Sequence, residues 1–236
     1  MCRCVAPCPL AVSRPCPRAR NPTSLQVIYL SAAHIEDFRQ SPVVSAVSRE
    51  DAVLFLQTNC GTGTKREDVV RRLLEIAKDE SKPWRVDARG KCMQNAGLIP
   101  RGADAGSVRA IMQQYKVSFS FENSEGEFYT TEKVYNALGA GMIPIYYGNP
   151  SIEEFIPHPM SIIDYRALGS PEALAAYLDA MMTNTTLFDS HHAWRRLPMS
   201  ALSPGFQRLA RMAYGPHTQC RMCEHVALWE ETHGLS

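Results

Sequence analysis

Val117-Ser118-Phe119-Ser120-Phe121, a loop over 122–129, the segment 131–140 closed by Gly141, and Met142-Ile143-Pro144-Ile145-Tyr146-Tyr147 together set the architecture. Val117, Phe119 and Phe121 alternate with Ser118 and Ser120, the period of two that belongs to a strand. The segment 131–140 predicts a helix that stops at Gly141, a natural terminator. The apolar run after it reads as the next strand. Strand, helix and strand in so short a span imply a right-handed crossover between parallel neighbours.

Outward from this unit the same alternation continues. Upstream, Ala52-Val53-Leu54-Phe55-Leu56 is a short apolar run of the kind buried in parallel sheets. Thr64-Lys65-Arg66-Glu67 has capping-box spacing and predicts a helix with Val70, Leu73, Leu74 and Ala77 on one face. Trp84-Arg85-Val86-Asp87 predicts a strand, and 108–115 a helix. Leu25-Gln26-Val27-Ile28-Tyr29-Leu30 is a further candidate strand. Downstream, Ser161-Ile162-Ile163-Asp164-Tyr165 predicts a strand. Ser170-Pro171 places a cap and a first-turn proline before a helix that buries Leu174, Tyr177, Leu178 and Met181. The fold class expected is α/β: a Rossmann-like parallel sheet with helices on both faces.

Composition narrows the partners. Of 236 residues 45% are apolar and 21% charged, ordinary globular values, and a net charge of +1 gives no diffuse attraction for nucleic acid. The first 24 residues are rich in Cys, Pro and Arg and lack the apolar stretch of a signal peptide, and no run reaches membrane-span length. Eight cysteines, with the sequon Asn184-Thr185-Thr186, lean towards an oxidising compartment. Cys220 and Cys223 form a CxxC flanked by His217 and His225, so disulfide and zinc readings both stand there.

In such sheets ligands gather beyond the carboxyl ends of the strands. Two polar loops leave strands there. The first ends in Lys65 and Arg66 at a helix N-terminus, where exposed N–H groups and the macrodipole favour an anion such as a diphosphate. The second ends in Glu132 and Lys133. A carboxylate in a first helical turn is normal, whereas a lysine opposes the dipole unless an anion compensates it. The bland alternative for all three cations is a solvated first-turn side chain.

These residues carry a resemblance. Phe121-Glu122-Asn123-Ser124, Tyr129-Thr130-Thr131-Glu132-Lys133-Val134-Tyr135-Asn136-Ala137 and Gly141-Met142-Ile143-Pro144-Ile145-Tyr146-Tyr147-Gly148 resemble the signature of glycosyltransferase family 10, the α1,3/4-fucosyltransferases. Thr58-Asn59-Cys60, Gly90-Lys91-Cys92, Phe155-Ile156-Pro157 and Trp194-Arg195 extend the match. The resemblance implies the C-terminal, donor-binding half of a GT-B enzyme. Residues 1–24 are then an irregular tail, 25–50 a remnant or linker of the acceptor domain, and 51–236 the GDP-fucose-binding domain with C-terminal helices and the CxxC.

Carried over by motif position, Arg66 and Lys133 resemble the cations that bind the donor diphosphate. Tyr129 and Glu132 resemble residues around the fucose and ribose, with Glu132 the catalytic candidate, and Glu122, Asn123, Asn59 and Lys65 complete the donor-binding set. The resemblance further implies inverting transfer of L-fucose from GDP-β-L-fucose to a GlcNAc hydroxyl in α1,3 linkage on a glycoprotein glycan. The Asn59-Cys60 and Lys91-Cys92 pattern leans towards N-glycan acceptors. The general base is expected on the acceptor domain, and Glu36 and Asp37 have only their acidity to recommend them. No tightly bound cofactor is implied, and no His or carboxylate cluster forces a metal site. Cys60 and Cys92 are expected to end neighbouring strands and pair with each other, while the CxxC of animal relatives bonds to the acceptor domain. Full-length relatives are anchored in the Golgi membrane and act in its lumen. The alternative class is a truncated, non-catalytic nucleotide-sugar-binding module that lacks the acceptor domain.

Overall fold

The computed structural model describes residues 29–40, 49–99 and 102–215. Five parallel strands form one sheet: β1 (Glu50–Phe55), β2 (Arg85–Ala88), β3 (Tyr115–Phe121), β4 (Ile143–Tyr147) and β5 (Ile163–Asp164). Their spatial order is β2-β1-β3-β4-β5. The helices are α1 (Ala32–Gln40), α2 (Arg66–Ile76), α3 (Ala105–Met112), α4 (Glu132–Gly139), α5 (Tyr165–Leu168), α6 (Pro171–Thr183), α7 (Thr185–Ser190) and α8 (Pro204–Ala213).

Both faces of the sheet are covered. On one, Val53, Phe55, Val117, Phe119 and Phe121 pack against Val70 and Leu73 of α2 and Leu174 and Leu178 of α6. On the other, Ala52 and Leu54 meet Ala137 of α4, and outside them Val134 and Leu138 of α4 pack on Ile35 of α1 and Phe206 of α8. Every residue of β3 is buried, serines included. Its period of two therefore separates two kinds of interior, an apolar one and a hydroxylated one.

The chain leaves β1 towards β2 on one side and returns to β3 on the other, so the topological switch point, where ligands bind in such sheets, lies between β1 and β3. Cys60 and Cys92, beyond the ends of β1 and β2, form the expected disulfide, with Cα atoms 5.6 Å apart.

Several expectations need correction. Of the candidate strand Leu25-Gln26-Val27-Ile28-Tyr29-Leu30, only Tyr29 and Leu30 are described, and neither is in a strand. Ser31 takes over there: its Oγ accepts from the His34 N–H and starts α1. That helix lies within the expected linker 25–50 yet shares a core with α4 and α8. The helix expected over 108–115 runs earlier, because Asp104 caps it by accepting from the Ser107 N–H at 3.0 Å, and Tyr115 already belongs to β3. The strand expected at Ser161-Ile162-Ile163-Asp164-Tyr165 shrinks to two residues, since Asp164 turns to cap α5 through the Arg166 N–H. The cap at Ser170 is present as expected, its Oγ 3.1 Å from the Ala173 nitrogen. Cys220, Cys223, His217 and His225 lie outside the described residues.

Candidate active site at the switch point

The site is built around the start of α4. Thr131 precedes the helix in extended backbone and makes no cap with its own side chain. Its N–H and hydroxyl instead donate to the two carboxylate oxygens of Glu122, each at 2.7 Å. Glu122 is fully buried beyond the end of β3, so a negative charge is fixed where the helix dipole favours one. Lys133 compensates it: Nζ lies 3.3 Å from Glu122 Oε2, 2.8 Å from Thr131 Oγ1 and 3.7 Å from Glu132 Oε1. Gly148, beyond β4, makes room for this group, because a Cβ there would meet Glu122 Cγ at 2.6 Å.

Arg66 joins the two strand ends. Its guanidinium is entirely buried and donates to the Phe121 carbonyl (2.8 Å), Asn123 Oδ1 (2.6 Å), the Asn59 carbonyl (2.8 Å) and Glu67 Oε1 (3.2 Å). The expected capping box does not form. Lys65 occupies the cap position with φ 51°, Glu67 turns back to accept from Thr62, and Thr64 Oγ1 donates to the Glu122 carbonyl. The left-handed Lys65 thus directs Arg66 inward, where four of its five N–H donors are spent on protein acceptors.

Between β1 and β3, on the side of α3 and α4, lies a cleft of about 330 Å³. Asn59, Asn123, Glu132 and Lys133 line it together, as do Ser118, Ser120 and Asn136. The other residues singled out from sequence lie apart. Arg66 and Glu122 are not among the cleft's lining residues: Arg66 donates to the Phe121 carbonyl, and Glu122 is the next residue along the chain. Lys65 borders a separate depression with Lys91, Arg71 and the disulfide. Tyr129 is half-exposed on the β3–α4 loop, beside Phe128 with its φ of 63°. That loop is tied to β4 and α5 by Glu125, which accepts from Tyr147 OH and from Arg166, both at 2.6 Å. The Tyr147 hydroxyl, then Arg166, hold the Glu125 carboxyl below its ordinary range.

Asn184 caps α7 by accepting from the Leu187 N–H at 3.1 Å. Glu36 accepts from Tyr214 OH, and Asp37 pairs with Arg109, so both acids of α1 are engaged. Among the described residues no group of three or more His, Cys, Asp or Glu side chains is placed to hold a metal ion. No described helix is long and apolar enough to cross a membrane. Sequence reasoning passed over Ser118, Ser120 and Asn136; the signal was a pair of serines in a strand buried on both faces.

A Rossmann-like domain with a cleft at its switch point, floored by a helix N-terminus and lined by a lysine and three asparagines, is the class of protein that fold and site define. The chain belongs to glycosyltransferase family 10 (fucosyltransferase): the model of that family's C-terminal part matches residues 46–234. It is 30% identical to human GDP-fucose protein O-fucosyltransferase 3 over 148 residues, 61% of this chain and 29% of that protein. It is 31% identical to the α-(1,4)-fucosyltransferase of Arabidopsis thaliana over 153 residues, 58% of this chain and 37% of that protein. A crystal structure of an α1,3-fucosyltransferase with GDP-fucose superposes with a TM-score of 0.55 at 19% identity, over 72% of this chain and 47% of that one, and shows the shared fold. The chain spans less than half the length of each of these proteins.

Proposed function

We propose that the cleft holds the diphosphate of GDP-β-L-fucose and that this chain is the donor-binding part of a fucosyltransferase. The observation that carries the reading is Lys133: an ammonium in the first turn of α4, against the helix dipole, in the same cleft as Asn59, Asn123 and Glu132. Family membership supplies the donor. As the glycosidic bond breaks, the departing GDP gathers negative charge, and a fixed cation with helix N–H groups stabilises that charge more than the bound donor. Lys133 supplies there the positive charge that a metal ion supplies in other transferases. Arg66 acts behind it, holding the Asn59 and Asn123 loops at a fixed spacing. To Glu132, in the first turn of the same helix, we assign the contacts with the sugar and ribose.

The acceptor we propose is a GlcNAc hydroxyl of a glycoprotein glycan, fucosylated in α1,3 linkage with inversion. The name of the human relative supports a second acceptor, a protein hydroxyl. We place the reaction in the Golgi lumen, a reading supported by the Cys60–Cys92 disulfide.

Calorimetry with GDP-fucose, GDP-mannose and UDP-sugars tests the donor. Guanine nucleotides are expected to bind preferentially, and Lys133→Ala to weaken them by about tenfold or more. Equal affinity for UDP-sugars would end the assignment. Incubation with GDP-fucose and either a GlcNAc-terminated glycan or a folded protein acceptor, read by mass spectrometry, separates the acceptors. Binding without transfer to any acceptor would leave the non-catalytic module.

A further inference from the structure

Three Asn-x-Ser/Thr triplets occur in the sequence, and two of them carry proline in the middle, Asn21-Pro22-Thr23 and Asn149-Pro150-Ser151. A central proline bars those two as acceptors of an N-linked glycan. Asn149 is also only 2% exposed, its Nδ2 donating to Thr130 Oγ1 and its Oδ1 accepting from the Phe128 and Ser151 N–H groups. Asn184-Thr185-Thr186 remains, in the opposite surroundings. Residues 183–186 are all exposed, at the corner between α6 and α7. Asn184 has extended backbone, with φ −122° and ψ 100°, and its Oδ1 accepts from the Leu187 N–H at 3.1 Å. Its Nδ2 has no hydrogen-bond partner among the described residues. One atom of the amide serves the fold, and the other is left to solvent.

We propose that Asn184 Nδ2 is an N-glycosylation site. The inference rests on the reading of this chain as a luminal protein. In the attachment step Nδ2 bonds to C1 of an oligosaccharide carried on a polyprenyl diphosphate. The C1–O bond breaks, its electron pair leaves with the lipid diphosphate, and Nδ2 gives up one proton. The product is still an amide, so Oδ1 remains an acceptor and the cap on the Leu187 N–H persists. The glycan thus removes no hydrogen bond from the fold. Its position also keeps it away from the cleft. Thr183 borders a depression with Ser81, Lys82 and Pro83, residues that lead into β2, so this corner lies towards the amino ends of the strands. The cleft includes Gln57, Thr58 and Asn59, beyond the carboxyl end of β1. A bulky, solvated glycan at one end of the sheet leaves the other end open.

A mass map of the chain made in a eukaryotic cell behind a cleavable secretion signal tests this. Expected is a glycan on the peptide that contains Asn184, removed by a peptide amidase that turns the residue into aspartate. Asn184→Asp, which retains the capping oxygen, and Thr186→Val, which leaves Asn184 in place, should each abolish it. GDP affinity by calorimetry should agree within about twofold before and after the glycan is removed. An unmodified Asn184 in molecules whose Cys60–Cys92 bond has formed overturns this inference alone, as does a glycan that persists in both variants or one that weakens GDP binding beyond that range. Free Cys60 and Cys92 thiols in the protein isolated from its own cells overturn the luminal reading, and this inference with it.

Discussion

The two ends of α4 obey the same electrostatics and are finished in opposite ways. At the C-terminus the carbonyls of Leu138, Gly139 and Ala140 accept from Arg195, Arg109 and Arg49, at 2.8, 3.0 and 3.0 Å. Three cations from distant parts of the chain thus close the negative pole of the helix. At the N-terminus one buried carboxylate takes the Thr131 N–H, and a lysine stands against the dipole beside an open cleft. The closed end spends its charges on backbone carbonyls; at the open end Lys133 pairs with Glu122 and still borders the cleft. Stability and binding should therefore separate along a single eight-residue helix.

The largest effect expected is at the closed end. Arg195 donates to the Phe38 and Leu138 carbonyls and to His192 Nδ1, so Arg195→Ala removes three charge-assisted bonds and should cost about 3–5 kcal/mol of stability by urea unfolding. GDP affinity of the folded variant should stay within about twofold; a parallel loss of affinity would break the separation.

Next comes pH. His192 is packed against Phe188, its Nδ1 accepting from Arg195 Nε at 3.3 Å. Burial first, then the charges of Arg195 and Arg49, push its pKa from 6.5 down to about 3. Between those values the unfolded chain binds the proton and the folded chain does not. Stability is therefore complete above 6.5 and falls on acidification, by up to about 1.4 kcal/mol per pH unit. Burial also lowers the pKa of His191, so it acts in the same direction. Unfolding midpoints at neutral and mildly acidic pH check this, and His192→Gln should flatten the slope.

The smallest effect belongs to the open end. Thr131→Val keeps the branched shape and the N–H but removes the hydroxyl between Glu122 and Lys133, for about 1 kcal/mol. A loss as large as that of Arg195→Ala, measured the same way, would show that the open end is as structural as the closed one.

The strand–helix alternation was legible because it rests on local periodicity: β1, β3, α4, β4 and the Ser170 cap all lie where the residues place them. The disulfide and the pair Glu132 and Lys133 followed from strand ends meeting at a switch point, whereas Asn59 and Asn123, which line the same cleft, came from the resemblance. What escaped depends on contacts between distant residues. Arg195 reaches Leu138 across 57 positions. Arg66 reads from sequence as a cation for the diphosphate, whereas four of its N–H donors meet protein acceptors, two of them, on Phe121 and Asn123, far along the chain. Ser118 and Ser120 marked a strand by their period, but whether their face met solvent, core or cleft was fixed by the packing of α3 and α4.

Gly148 is not among the residues lining the cleft, yet the site depends on it. Any side chain there would press on the Glu122 stem and on Tyr146 OH, displacing the carboxylate from Thr131 and leaving a buried charge beside an unclamped helix start. In a saturation library this position would behave as an all-or-none gate, silent in every substrate contact map but intolerant of even a single methyl. One tight constraint on this site is thus a hydrogen atom outside the cleft's lining.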